Sequence, residues 1–398
     1  MRLRKSTAVL PALAAATVFA CCWIGANFLK EVAAAASPTE SSIPTFSTEN
    51  IGRQGHFFVG GHYEGKPGNQ IMVGSLYVET WVPKKVRHPY PVVFMLNSAG
   101  LDDYELKQTP DGRPGWAYDF VNQGYTIYMF NRPAAVSGTV TPPRSGELVE
   151  EVWAGQMPKE SPLDLWPQWS KQTQFPGEGP NKGKMGDPVF DYFMKTMVGN
   201  VTGQGRDNSK TIVEDVSDLI DMIGRPIILL IHSGAAPNGW LIADARPKSI
   251  KAILAPEPFA PPVENAERGV NHGPGRLWGL TDTFIHYDPP ITDPAELHPV
   301  QQDKPDGPWL LRCWAQSEPA HKLVNFENIP VLQLVGEGSY HRPYSHCTAK
   351  WLQQAGVKTD FVKLEEVGLP GNGHQMMAEK NSAGISKFMM EWLDKNVH

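Results

Sequence analysis

The sequence predicts an α/β fold built on a mostly parallel sheet, and three observations predict it. Short, almost wholly apolar runs recur along the chain, at residues 91–96 (PVVFML), 226–231 (PIILLI) and 331–335 (VLQLV). Stretches with helical apolar spacing, such as residues 212–223 and 382–393, alternate with them. Small or polar residues follow the runs directly, as Asn97-Ser98-Ala99-Gly100 and Ser233-Gly234-Ala235. Continuous apolar runs mark strands buried on both faces, and alternation with helices marks parallel crossovers.

The elements follow in order. Arg2, Arg4 and Lys5 precede an uncharged stretch over residues 7–29, and Ala33–Ala36 offer a small-residue cleavage site before Ser37. Residues 1–36 therefore read as a signal peptide or an uncleaved signal anchor, and either one places the folded part outside the cytoplasm. Residues 37–50, rich in Ser, Thr and Pro, read as a linker. Residues 51–398 form the folded domain. Residues 55–61 (GHFFVGG) and 74–82 (GSLYVETWV) alternate as an opening hairpin. A strand at 91–96, a helix at 116–122 and a strand at 125–130 come next, then the helix at 212–223 and the strand at 226–231. Further strands are expected at 250–254, 331–335 and 361–364, and the final amphipathic helix at 382–393. Two long segments break the alternation. Residues 134–209 carry Trp153, Trp166, Trp169, Phe175 and Phe190, and residues 261–325 carry Trp278, Phe284, Tyr287, Trp309 and Trp314. Insertions of this kind after strand ends sit where a cap covers a binding crevice.

A formal charge of -6, with 41% hydrophobic and 20% charged residues, describes an ordinary globular protein and gives no footprint for nucleic acid. The chain has no phosphate loop, dinucleotide fingerprint or zinc-type Cys/His spacing, so neither a metal nor an organic cofactor is expected. Cys21 and Cys22 fall in the targeting segment. That leaves Cys313 and Cys347 either to pair in an oxidising compartment or to remain two buried thiols. Asn200-Val201-Thr202 is a glycosylation sequon, relevant in a eukaryotic host.

Ligands of such sheets bind beyond the carboxyl ends of the strands. Ser233 stands there, followed only by tiny residues, as in a nucleophile elbow where a helix starts at once. Its five-residue frame, Ile231-His232-Ser233-Gly234-Ala235, keeps the smallness after the serine but not the glycine before it. Glu257 follows the strand at 250–254, Glu337 the strand at 331–335, and His374 lies in a Gly/Asn loop before the last helix. A serine hydroxyl needs a base to take its proton, histidine suits that task, and a carboxylate must orient and stabilise the imidazolium. The oxyanion needs fixed donors, for which the backbone N–H groups of Gly234 and Ala99 are the candidates. Two carboxylates compete for the acid. Pro256 and Pro258 stiffen Glu257, and its strand is expected beside that of Ser233, whereas Glu337 lies between two glycines. His232, next to Ser233 on the strand, is expected to point away from the site. His272, His286, His321, His341 and His346 are expected to line a pocket or face solvent.

Several further pieces carry a resemblance. Residues 55–61, Thr109-Pro110-Asp111-Gly112-Arg113 with Gly115-Trp116, Glu257-Pro258 with Pro261-Pro262, Tyr287-Asp288-Pro289-Pro290, Ser339-Tyr340-His341 and Gly373-His374 occur in order. From about residue 51 to 393 the chain resembles a bacterial and fungal branch of α/β-hydrolase carboxylesterases whose triad acid is a Glu after the sixth strand. The resemblance implies the α/β-hydrolase fold and a secreted or periplasmic esterase, often dimeric, with Ser233, Glu257 and His374 as its triad. Two departures stand out: Asn97-Ser98 replaces a His-Gly pair in the oxyanion loop, and Gly234 replaces a larger residue after the serine. The expectation is a serine hydrolase of carboxylic esters or lactones, acting on a bulky apolar or aromatic small-molecule ester. Its rivals are a non-catalytic scaffold that binds a small molecule or partner, and an acyltransferase with the same triad.

Overall fold

A computed structural model of the protein describes residues 44–96, 104–131, 171–179, 182–183, 186–196, 209–267 and 270–398. The signal or anchor segment 1–36, Ala99, the sequon at Asn200 and most of the 134–209 insertion lie outside the described residues. The chain divides into two compact units, Met1–Ser47, of which only residues 44–47 are described, and Thr48–His398. Every strand and helix named below belongs to the second.

Eight strands form one sheet: β1 (Ile51–Val59), β2 (Leu76–Pro83), β3 (Val92–Met95), β4 (Ile127–Asn131), β5 (Ile227–Ile231), β6 (Ile250–Pro256), β7 (Val331–Val335) and β8 (Thr359–Lys363). Their spatial order is β1-β2-β4-β3-β5-β6-β7-β8. β2 runs antiparallel to both β1 and β4, and every later neighbour is parallel. Five helices pack on or beside the sheet, α1 (Trp116–Asn122), α2 (Ser209–Ile223), α3 (Ala236–Ala245), α4 (Ser345–Gln354) and α5 (Ser382–Asn396), and two further helices span Tyr104–Lys107 and Pro188–Thr196.

The apolar runs are explained by two cores, one on each face of the sheet. Val93, Met95, Leu229, Ile231 and Ile253 pack with Ile212, Val216, Trp240 and Trp351 of α2, α3 and α4. The intervening residues Val92, Phe94, Ile228, Leu230 and Leu254 pack with Trp116 and Phe120 of α1 and with Ile385 and Met389 of α5. Successive side chains point to opposite faces, so a strand covered on both sides is apolar almost throughout; the one exception in β7, Gln333, donates its Nε2 to Ser345 O. Each fully buried aliphatic contributes roughly 1.5–3 kcal/mol relative to exposure.

The opening hairpin is present, but a ribbon (His62–Lys66 paired with Asn69–Val73) is inserted between its strands. The ribbon buries almost nothing, so it leaves no mark in the hydropathy pattern. Helix α4, absent from the sequence expectations, buries Cys347, Trp351 and Leu352 along one face. Cys313 and Cys347 are joined by a disulfide, which pins α4 to the segment before it. No helix among the described residues is long and apolar enough to cross a membrane.

Candidate active site

Parallel pairing brings the carboxyl ends of β5, β6 and β7 side by side, and the candidate residues leave the sheet there. Ser233 follows β5 with φ +51, a left-handed conformation that costs a non-glycine residue on the order of 1–3 kcal/mol. Neighbouring backbone holds it: the Ser233 N–H donates to Glu257 O at 3.1 Å, and the Phe259 N–H donates to Ser233 O at 3.0 Å. The small residues after it have a cause. α3 begins within three residues and presses on the strand it has just left, so a Cβ on Gly239 would stand 2.4 Å from Ile231 Cγ2. Gly234 is exposed while Ser233 is buried. The residue directly after the serine therefore offers open backbone to an incoming group.

Glu257 leaves β6 with φ +48 and is fully buried. Its Oε1 accepts from the Gly336 N–H at 2.7 Å, and its Oε2 accepts from Ser339 Oγ at 2.5 Å. His374 completes the line: Nδ1 lies 2.5 Å from Glu257 Oε2, and Nε2 lies 2.9 Å from Ser233 Oγ. With Nδ1–H donating to the carboxylate, Nε2 is left to accept the hydroxyl proton, which lies within transfer distance. Burial is the dominant electrostatic cause here. It pushes the His374 imidazolium well below the ordinary histidine range, so the ring is a neutral base at neutral pH. It also raises the Glu257 carboxyl, against the opposing bonds from Ser339 and Gly336 and the Arg342 charge.

Glu337, the competing carboxylate, engages Lys171 Nζ at 3.0 Å and the Gly371 N–H at 3.3 Å. Its two neighbours are constrained. A Cβ on Gly336 would meet Asn372 O at 2.5 Å, and one on Gly338 would meet Gln172 N at 2.7 Å.

The other histidines divide sharply. His232 does not point away: its buried Nε2 donates to His374 O at 3.1 Å, and the two rings lie 4.6 Å apart. The strand ends at Ile231, so the alternation of faces no longer governs the next residue. His341 is buried and stacks on His374 at 4.1 Å. His286 bonds Asp244 Oδ2 at 2.7 Å, His321 donates to Pro289 O at 2.7 Å, and His346 lies 3.2 Å from Asp306. The side chain of His272 lies outside the described residues. Ser339 stands out in the sequence only as part of Ser339-Tyr340-His341; its role stays hidden there, since nothing around it along the chain marks it as a donor to a carboxylate 82 positions away.

Two groups of potential metal ligands occur among the described residues, Glu257/His341/His374 and Cys313/His346/Cys347. In the first, Glu257 and His374 are bonded to each other; in the second, the two sulfurs are joined.

The sheet order together with a serine, a carboxylate and a histidine at its carboxyl edge defines the class of protein as α/β-hydrolase. No family model matches the chain. A probable secreted lipase, phiG, of Fungal sp. (strain ATCC 74256) is 36% identical over 347 residues, covering 85% of this chain and 89% of the relative. Among solved structures, one described as a novel bacterial esterase superposes with a TM-score of 0.55 at 19% identity, over 89% of this chain and 99% of that one. Carboxyl esterase 2 of the mycorrhizal fungus Tuber melanosporum gives a TM-score of 0.44 at 11% identity, over 90% of each chain. The chain belongs to the esterase/lipase family of α/β-hydrolases, enzymes that hydrolyse carboxylic esters.

Proposed function

We propose that the protein is an exported serine esterase that cleaves carboxylic esters or lactones through an acyl-enzyme, with Ser233, His374 and Glu257 as its triad. One observation carries the reading: the unbroken contact from Ser233 Oγ to His374 Nε2, and from His374 Nδ1 to Glu257 Oε2. Ser233 Oγ attacks the ester carbonyl while its proton passes to His374 Nε2. The imidazolium is held by the Glu257 carboxylate, and the oxyanion is met by the N–H groups of Gly234 and Ala99. Collapse expels the alcohol, which takes the proton from His374. Water then repeats the cycle: His374 accepts its proton, the acyl carbon takes its oxygen, and the acid leaves as Ser233 regains its hydrogen.

The acid sits after the sixth strand of the sheet, which supports membership of the branch with a Glu there. Export is supported by the basic-then-apolar N-terminus, by the Cys313–Cys347 disulfide and by a relative described as secreted. The aromatic residues of the two insertions favour a bulky apolar or aromatic ester. A panel of aryl and alkyl esters and lactones, run beside Ser233→Ala, tests the proposal. Turnover of at least one class is expected, with a loss on the order of a millionfold in the variant. A Ser233→Ala protein as active as the parent would remove Ser233 from the mechanism.

A further inference from the structure

Glu379 is a second carboxylate buried close to the triad, and the steps above leave it unused. Its Oε1 accepts from the Gly373 N–H and from Gln172 Nε2, both at 2.8 Å, and its Oε2 accepts from Asn372 Nδ2 at 2.6 Å. These partners are all N–H donors, so the ionised carboxylate is the form that satisfies them. Gly373 immediately precedes His374. Its backbone is pressed so closely on Gln172 that a Cβ there would stand 2.3 Å from Nε2. Asn372 O accepts from the Gly338 N–H at 2.8 Å, in the same loop whose Gly336 N–H holds Glu257. The peptide that sets where the imidazole hangs is thus gripped by one carboxylate.

We propose that Glu379, in its charged form, is the positioning residue for His374, fixing the Gly373 amide and through it the ring against Ser233 and Glu257. The proposal rests on the triad reading above. A loop staple with no such role would affect stability alone, and pH separates the two cases. Burial pushes the Glu379 carboxyl up to about 7, while the bonds from Gly373, Gln172 and Asn372 oppose the rise and the charge of Glu257 adds to it. The other charged groups around it are few. Arg113, paired with Asp111, donates to the Glu379 main-chain O at 3.0 Å, Lys380 is the next residue, and the Lys171–Glu337 pair flanks Gly371. His374 is held neutral well below this range. A proton on Glu379 sets an O–H against N–H donors and loosens the loop. Activity therefore rises with pH as that proton leaves, in a limb near 7.

The experiment measures kcat and KM of an aryl ester from about pH 5 to 9 for the parent, Glu379→Gln, Glu379→Asp and Ser233→Ala. In Glu379→Gln one of the two acceptor oxygens becomes an amide NH2, so at every pH one of the N–H donors on Oε1 or Oε2 faces another donor. Its kcat should fall on the order of 100-fold with KM little changed, and the limb near 7 should vanish. Glu379→Asp should recover part of kcat and the limb. Parental kcat in Glu379→Gln, or a limb that survives there and so belongs to Glu257, overturns the proposal. Should Glu379→Gln not fold, Asn372→Asp sets a second carboxylate beside Oε2 and must move the limb upward by about one unit; an unmoved limb is equally fatal. Loss of activity in Ser233→Ala with an unaltered Glu379→Gln removes this inference alone. Activity in Ser233→Ala would bring down the triad reading first.

Discussion

Glu257 reaches the imidazole because the chain turns through a left-handed residue immediately after β6, with its neighbours on both sides prolines. That placement leads to a ranking. In the proposed triad, Glu257→Gln keeps the shape but removes the charge assigned to stabilising the imidazolium, so turnover should fall by about three to four orders of magnitude. Glu337→Gln loses a partly exposed pair with Lys171 and should lose far less. Measuring kcat for both variants, each shown to be folded, decides it; the reverse ranking would move the acid to Glu337. At this scale the sequence marks Ser233 and Glu257 by their position at strand ends, and His374 by its Gly/Asn loop before the last helix. It marks neither the bond from Ser339 to Glu257 nor the inward turn of His232, because these partners are brought near only by the fold.

Helix α3 owes its start to the absence of side chains where it crosses β5. Alanine at position 239 would gain about 1 kcal/mol in helix propensity over glycine. It would also drive a methyl into Ile231, a β-branched residue with little rotamer freedom, and overpacking of that kind costs about 1–3 kcal/mol. Gly239→Ala is therefore expected to be destabilised in urea unfolding, and a more stable variant would contradict the close packing. The disulfide ties α4 to the insertion before it across a sequence separation of 34. By loop entropy it contributes roughly 4 kcal/mol, so Cys313→Ser with Cys347→Ser should lower the unfolding midpoint, and an unchanged midpoint would deny it that role. The sequence left the pairing of these cysteines open, since two thiols carry no record of their distance. It missed α4 because the buried stripe of that helix includes Cys347 and Thr348 among polar neighbours.

Across the whole molecule, the central sheet was legible because strands covered on both faces are apolar at nearly every position, as in Ile227–Ile231. The exposed ribbon at residues 62–73 was not, because a segment that buries nothing leaves no period to read. The sheet's role is to place the ends of β5 and β6 side by side, so that Ser233 and Glu257, 24 positions apart, both reach His374 in the loop beyond β8, 117 positions past Glu257. Everything proposed for the chemistry rests on Ser233 becoming acylated. The most direct measurement is to react the protein with a fluorophosphonate probe and map the adduct by peptide mass. One equivalent on the peptide containing Ser233, absent in Ser233→Ala and formed more slowly in Glu257→Gln, is the predicted result. An adduct on another residue, or labelling that persists in Ser233→Ala, would contradict the account.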